Sequence, residues 1–217
     1  LSVGLGINPH TLETSIYNLL LARDHDVHDI IAPSVVDGLD ILPANIDLSA
    51  AEVQLVSEVA REQTLKRVLT AVRGDYDIIL IDCAPSLGLL TVNALTAADK
   101  VIMPLECEFF ALRGLALLND TIGKVQDRLN PELEILGILG TMYDARTRLS
   151  AQVAHEVRTH FGAETLRTAI PRSVRVSEAP SYGRTVITYD QASAGSQAYL
   201  AAASEIAQRG VAAKGQS

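Results

Sequence analysis

The chain has 217 residues, of which 48% are hydrophobic and only 4% aromatic, so its core must be built from Leu, Ile, Val and Ala. Its net charge of −8 argues against a protein that coats nucleic acid through its average surface, because non-specific DNA binding is mostly phosphate neutralisation. No apolar run approaches the roughly 20 residues of a membrane span, and no signal-peptide pattern opens the sequence, so we expect a cytoplasmic protein.

The hydrophobic pattern predicts alternating helices and strands. In chain order we expect a helix over 11–21, a strand over 39–42, a helix over 53–72, a strand ending at Asp82, a helix over 87–97, a strand over 100–105, a helix over 111–129, a strand over 135–142, a helix from an N-cap at Ser150 to Phe161, a strand over 168–170, and a helix over 195–208. Strands separated by helices predict an α/β fold with a doubly wound, mainly parallel sheet and helices on both faces. We expect one domain over residues 1–210 and a disordered tail over 211–217.

The segment from Tyr76 to Ser86 carries the strongest functional signal. An unbroken apolar run ends at Asp82, which predicts a strand buried on both faces with a carboxylate at its carboxyl end. Ligands of open parallel sheets bind at that end of the strands, so Asp82 is a candidate Mg²⁺ ligand. The alternative is that Asp82 only caps the next helix.

Four blocks of sequence make the pattern more specific. Residues 82–95, Asp-Cys-Ala-Pro-Ser-Leu-Gly-Leu-Leu-Thr-Val-Asn-Ala-Leu, resemble the Walker B segment and following helix of the ParA (Soj) family of chromosome- and plasmid-partitioning ATPases. Residues 106–112, 141–147 and 170–181 resemble the same family in the same order. The resemblance runs from about Leu1 to Arg209. It implies a P-loop NTPase-like fold, an ATPase that uses ATP and Mg²⁺, and a Walker B role for Asp82.

One part of the family pattern does not occur in these 217 residues. Family members open with a strand, a Lys-rich P-loop, a helix and a second strand. Residues Leu1 to Ile7 resemble the sequence that directly follows that second strand. We therefore expect a first βαβ unit of roughly 30 or more residues to be missing. The chain alone should not hydrolyse ATP, because a P-loop supplies the N–H groups and lysine that hold the phosphates.

Two further loops are expected to open at the same edge of the sheet as Asp82. They carry six candidate nucleotide-binding residues: Thr141, Met142, Tyr143, Pro171, Arg172 and Ser173. The resemblance implies that these loops hold the adenine. Without it, Pro171 would merely end a strand and Arg172 would be a solvated side chain.

Arginines are concentrated near the last predicted strand, and Arg172, Arg175 and Arg184 are candidate DNA-binding residues. The alternative is a solvated surface or pairing with nearby acids. The resemblance implies an ATP-dependent homodimer at the nucleoid that binds DNA non-specifically, and a ParB-like partner that stimulates hydrolysis. Ala194 stands where the family often has an arginine, so we expect weakened DNA binding.

Two other classes of function stay open. MinD-like positioning ATPases attach to membranes through a basic amphipathic C-terminal helix, but residues 211–217 have one cation and no apolar stripe, so we expect no membrane partner. A non-catalytic interaction module is the other possibility, because the P-loop sequence motif does not occur in the chain.

Other reactive side chains carry weaker signals. His25 and His28 lie among aspartates without a further ligand cluster, which favours a solvated turn over a metal site. Cys83 and Cys107 are too few for a disulfide framework, and we expect both to be buried free thiols.

Overall fold

The structure, a computed structural model, describes residues 1–22, 24–108 and 111–214. These residues form two compact units. The first comprises the described residues of Leu1–Asp99, Ile122–Leu133 and Ser181–Arg184, and the second those of Lys100–Thr121, Glu134–Pro180 and Thr185–Ser217. The expectation of one domain over residues 1–210 stays a prediction.

The first unit is mainly helical. Its helices are α1 (Ile16–Leu21), α2 (Val27–Ile30), α3 (Leu48–Gln54), α4 (Thr64–Thr70) and α5 (Leu89–Ala97), with 3-10 turns at Val3–Leu5, Pro9–Thr11, Leu55–Ser57 and Arg61–Gln63. Strands β1 (Ala32–Pro33) and β2 (Asp40–Ile41) form a short antiparallel pair. Two clusters of buried apolar side chains stabilise the unit, one centred on Leu19 and Val72, and the other on Leu20 and Leu65.

Two predicted helices of this unit begin or end at other residues than expected. α1 starts at Ile16 because Ser15 caps it: the Ser15 hydroxyl accepts from the Tyr17 N–H, and the Asn18 side chain accepts from the Ser15 N–H. The helix expected over 53–72 is broken between α3 and α4. Ala60 adopts a left-handed conformation with φ 54°, which a helix cannot contain.

The strand expected before Asp82 is not present, and that prediction is wrong. Residues 78–84 have no regular secondary structure, and the side chains of Ile78 and Leu80 are 75% and 77% exposed. A strand buried on both faces needs neighbouring strands for its hydrogen bonds and helices over its faces. In the described part of the first unit, β1 and β2 pair only with each other and offer this segment no partner. Cys83, expected to be buried, is consequently exposed.

The second unit contains a parallel three-stranded sheet of β3 (Lys100–Glu106), β4 (Glu134–Tyr143) and β5 (Thr165–Pro171), in that order. Its helices are α6 (Ala111–Arg128), α7 (Arg148–Phe161), α8 (Val174–Glu178), α9 (Val186–Tyr189) and α10 (Ala194–Lys214), with 3-10 turns at Gly162–Glu164 and Ala179–Tyr182. The residues of α6 from Ile122 onward belong to the first unit. A helix lies between each pair of successive strands in the chain, as parallel pairing requires. The predicted α/β class and parallel sheet are confirmed.

The last helix is fixed against the last strand. Leu139, Leu166, Ile170 and Ala202 form the shared apolar cluster of the sheet and α10. α10 runs to Lys214, so the predicted end at residue 208 is wrong and four residues of the expected disordered tail are helical. Gly215, Gln216 and Ser217 lie outside the described residues.

The N-cap expected for α7 is also corrected. Thr147 rather than Ser150 caps the helix, because the Thr147 hydroxyl accepts from the Ser150 N–H at 3.3 Å. The Ser150 hydroxyl is directed instead to the Cys107 carbonyl oxygen, also at 3.3 Å. This bond joins the start of α7 to the end of β3.

Candidate functional site

The carboxyl ends of the three parallel strands bring the predicted loops together. In the register of the sheet, Glu106 lies opposite Thr141, and Tyr143 lies opposite Pro171. The Arg172 N–H donates to the Tyr143 carbonyl at 3.0 Å, which joins the loop after β4 to the loop after β5. These two loops therefore open at one edge of the sheet. That they share this edge with Asp82, and that they form an adenine site, stay predictions.

A cavity of about 690 Å³ opens at this edge of the second unit. Its lining consists of Glu106, Cys107, Glu108, Ala111, Asp144, Thr147, Leu149, Ser150 and Arg172. Of the six predicted nucleotide-binding residues, Arg172 alone is in this lining. The other five residues, Thr141, Met142, Tyr143, Pro171 and Ser173, lie at the adjoining ends of β4 and β5.

Three of the nine residues that line the cavity are acidic. Asp144 is held by Arg146, whose Nε and Nη2 lie 2.9 and 2.7 Å from its two carboxylate oxygens. These side-chain bonds, with the Arg146 backbone N–H, lower the pKa of Asp144 to about 2, so it stays ionised near neutral pH. Arg172 donates to Glu108 at 2.9 Å, and Glu106 adds a third carboxylate. This lining favours hydroxyl and amino groups over phosphates.

The backbone at the end of β4 is unusual. Met142 has φ 52°, in the left-handed region that non-glycine residues rarely adopt. It lies in the stretch between Gly140 and Tyr143 where the pairing with β5 changes register. Such a conformation costs about 1–3 kcal/mol and persists where the surroundings impose it, often at binding sites.

The sequence prediction missed most of the cavity lining. Glu106 ends β3 and Glu108 follows it, so both could have been found by applying the same-edge rule to that strand as well as to the next two. Thr147 and Ser150 had no comparable signal, because their place in the lining depends on how α7 begins after the loop. Phe109 and Phe110, in a block that resembles the family, lie outside the described residues.

Asp82 lies in the first unit, on the irregular segment before α5. Its carboxylate is 60% exposed, and Oδ2 is 3.6 Å from the backbone nitrogen of Leu1. The alternative role as a helix cap is wrong, since the Leu89 and Leu90 N–H groups at the start of α5 donate to Glu52. Among the residues that the structure describes there is no cluster of three or more metal-ligating side chains. An exposed single carboxylate nevertheless fits Mg²⁺, which usually takes one or two carboxylates and completes its shell with water and phosphate oxygens.

The candidate DNA-binding arginines are divided between the units and partly paired. Arg175 lies 3.1 Å from Glu178 and 3.4 Å from Asp190, and Arg172 pairs with Glu108. Arg184 is exposed and belongs to the first unit. Pairing with nearby acids, the alternative from the sequence, therefore holds for two of the three arginines, and their role in DNA binding stays a prediction. No helix in the described ranges is both long enough and apolar enough to cross a membrane.

Known proteins resemble this chain over almost its whole length. A family model described as an AAA domain matches residues 1–135. Sporulation initiation inhibitor protein Soj of Bacillus subtilis is 50% identical over 207 residues, which cover 95% of this chain and 81% of Soj. Chromosome partitioning protein ParA of Caulobacter vibrioides is 50% identical over 210 residues, which cover 96% of this chain and 78% of ParA.

Solved structures also resemble this chain. Cobyrinic acid a,c-diamide synthase from Mycobacterium smegmatis with bound ADP and magnesium has 42% identity and a TM-score of 0.73, and the match covers 82% of this chain and 72% of that one. The cell division ATPase MinD of Pyrococcus furiosus, at 22% identity and a TM-score of 0.73 over 96% of this chain and 79% of that one, shares the fold. The chain therefore belongs to the ParA/Soj family of chromosome-partitioning ATPases.

Proposed function

We propose that this chain forms the greater part of a partitioning ATPase that binds ATP and Mg²⁺. One observation carries the proposal: the loops after β4 and β5, joined by the bond from the Arg172 N–H to Tyr143, lie at the carboxyl edge of the sheet beside a cavity of about 690 Å³. Open α/β sheets bind their ligands at this edge. The identity to Soj and ParA, and the ADP and magnesium bound to a 42% identical protein, support a nucleotide as the ligand.

The chemistry of the cavity supports a role at the nucleoside end of ATP. Glu106, Glu108 and Asp144 would repel phosphates but can accept hydrogen bonds from ribose hydroxyls or an adenine amino group. The ends of β4 and β5, with Thr141–Tyr143 and Pro171–Ser173, would form the walls around the base. The phosphates need N–H groups and a lysine of the P-loop type, and the 217 residues contain no such motif.

Asp82 is the proposed Mg²⁺ ligand. When bound, the metal neutralises charge that develops on the phosphates during transfer. The part of Asp82 is to supply one carboxylate oxygen, and its exposure leaves room for water and phosphate oxygens to complete the coordination shell.

The proposed biological role is inferred from the relatives named Soj and ParA. ATP would favour a homodimer that binds DNA without sequence preference, and a ParB-like partner would stimulate hydrolysis and release the DNA, in the cytoplasm at the nucleoid. DNA phosphates would contact Arg172, Arg175 and Arg184. Because Arg172 and Arg175 pair with carboxylates, phosphates must compete for them, and with Ala194 in place of the family arginine the binding should be weak.

The test compares the 217-residue chain with a chimera in which the N-terminal segment of Bacillus subtilis Soj precedes Leu1. We expect the chimera to bind ATP with Mg²⁺ in calorimetry and to release phosphate, and the 217-residue chain to do neither, since positioning of the phosphates supplies most of the catalysis. Tight ATP binding by the shorter chain would contradict the role given to the P-loop. A folded chimera that does not bind ATP would contradict the ATPase proposal and favour an interaction module.

A further inference from the structure

Glu52 of α3 reaches across the first unit to the start of α5. Its Oε2 accepts a hydrogen bond from the Leu89 N–H at 2.7 Å, and its Oε1 accepts one from the Leu90 N–H at 3.3 Å. These N–H groups belong to the first turn of the helix, where no carbonyl of the helix itself can accept from them. A carboxylate is also favoured there by the helix dipole. Glu52 therefore supplies the cap that the N-cap residue Gly88 has no side chain to provide.

The contact with Glu52 explains why residue 88 is a glycine. A Cβ atom at Gly88 would lie 2.5 and 2.6 Å from the two carboxylate oxygens of Glu52, closer than such atoms can approach. The backbone of Gly88, with φ −81° and ψ −172°, is open to any residue. The need for glycine thus comes from the carboxylate and not from the chain conformation.

Other bonds hold the same end of α5. The Thr91 hydroxyl donates to the Ser86 carbonyl at 2.6 Å. Asn93, which is 1% exposed, donates to the Leu89 and Arg61 carbonyls and accepts from the Leu65 N–H. The chain from Ser86 onward is therefore anchored, whereas residues 78–84, which carry Asp82, have no regular structure.

We propose that Glu52 is a positioning residue for Asp82. By fixing the first turn of α5, it fixes the point at which the segment from Asp82 to Gly88 ends, and so restricts where the Asp82 carboxylate can lie. Glu52 does not itself act on the metal, because both of its oxygens are engaged with the helix. The inference rests on the proposed function, in which Asp82 binds Mg²⁺.

A double-mutant cycle in the ATPase-competent chimera tests the inference. Glu52→Ala removes both acceptors, and Gly88→Ala displaces the carboxylate by steric conflict. Each should raise the Mg²⁺ concentration for half-maximal ATP hydrolysis about 10-fold, the lower end of what loss of a supporting contact costs a metal site. The double variant should be no worse than either single one, because the added methyl meets no carboxylate. Glu52→Gln, which keeps one acceptor, should be intermediate, and Glu58→Ala, at an exposed carboxylate of this unit, should change nothing.

The outcomes separate the inference from the proposed function. If Asp82→Ala leaves Mg²⁺-dependent hydrolysis intact, Asp82 is not the ligand and the proposed function of this residue fails. If Asp82→Ala abolishes hydrolysis but Glu52→Ala lowers only the melting temperature, Glu52 is a helix cap alone and the inference is overturned.

A second measurement on the 217-residue chain needs no activity. Glu52→Gln should change the amide NMR signals of Leu89 and Leu90 and also those of residues 82–86, since one of the contacts that fix the end of this segment would be weakened. Changes confined to α5 would overturn the inference. If Glu52→Ala fails to fold, its melting curve will show this. The milder Glu52→Gln substitution then tests the inference.

Discussion

At the scale of single residues, the two cysteines occupy opposite environments. Cys83 is exposed on the irregular segment beside Asp82, whereas Cys107 is 4% exposed just after β3. Desolvation raises the pKa of both thiols, and the charge of Asp82 adds to the shift at Cys83, so accessibility and not thiolate formation separates their reactivity.

This difference predicts the course of thiol labelling. A maleimide added to the native chain at pH 8 should modify one thiol, Cys83, and the second only after unfolding in urea. The readout is the mass of the intact protein over time, and Cys83→Ser should abolish the fast reaction. Equal rates for both thiols would mean that the end of β3 opens readily.

The charge on Asp144 is another residue-scale property with a consequence for the site. The bidentate contact with Arg146 keeps its carboxylate ionised down to a pH of about 2. The ionised carboxylate keeps its oxygens available as hydrogen-bond acceptors near neutral pH, which supports the proposal that the cavity takes the uncharged end of a nucleotide.

At the scale of elements, α10 is joined to the start of β5 by two charged side chains. The Glu205 carboxylate accepts from the Arg167 and Thr168 N–H groups at 2.9 and 3.0 Å. Arg209 donates to Glu205 and to the carbonyls of Ala163 and Thr165. Burial opposes ionisation of Glu205, but these donors outweigh it and lower its pKa from 4.5 to about 2.

Glu205 should therefore make stability depend on pH. Its folded-state pKa is depressed, so its contribution is complete above about pH 4.5 and is lost as the pH falls toward about 2. We expect Glu205→Gln to lower the free energy of unfolding by about 1–3 kcal/mol at pH 7 and by less at pH 3. Urea unfolding at both pH values measures this, with exposed Glu132→Gln as the control. An equal loss at both pH values would show that the carboxylate charge is unimportant.

At the scale of the whole molecule, a net charge of −8 means that the proposed DNA binding would have to use a local patch. The arginines proposed for that patch are few, and Arg175 is already paired with Glu178 and Asp190. Binding that depends on ATP and on a second copy of the chain would increase the number of contacts.

The corresponding prediction concerns the salt dependence of binding by the ATP-bound chimera. Arg175→Ala and Arg184→Ala should each weaken binding to all duplexes equally and reduce the log–log salt slope by about 0.9 per lost phosphate contact. Ala194→Arg should tighten binding and steepen the slope, while exposed Lys66→Ala in α4 serves as the control. Titrations of unrelated duplexes at several salt concentrations measure the affinity and its salt slope. If affinity depends strongly on sequence, or if neither arginine affects it, the patch is an ordinary solvated surface.

The sequence by itself determined the family and most elements of the parallel sheet. β3, β4, β5, α6 and α7 were predicted to within a few residues, because their apolar periodicity and turn residues act over short distances along the chain. The same-edge rule for parallel strands then placed the loops at Tyr143 and Arg172 together.

Only the tertiary structure decided the features that depend on distant partners. The apolar run before Asp82 has the composition of a buried strand, but a strand forms only where another strand accepts its hydrogen bonds, and the described residues provide none for it. The cavity lining after β3, and the cap that Glu52 places on α5, likewise join side chains that are far apart in sequence. Local pattern determines which conformation a segment favours; the contacts it finds in the folded chain determine whether that conformation is adopted.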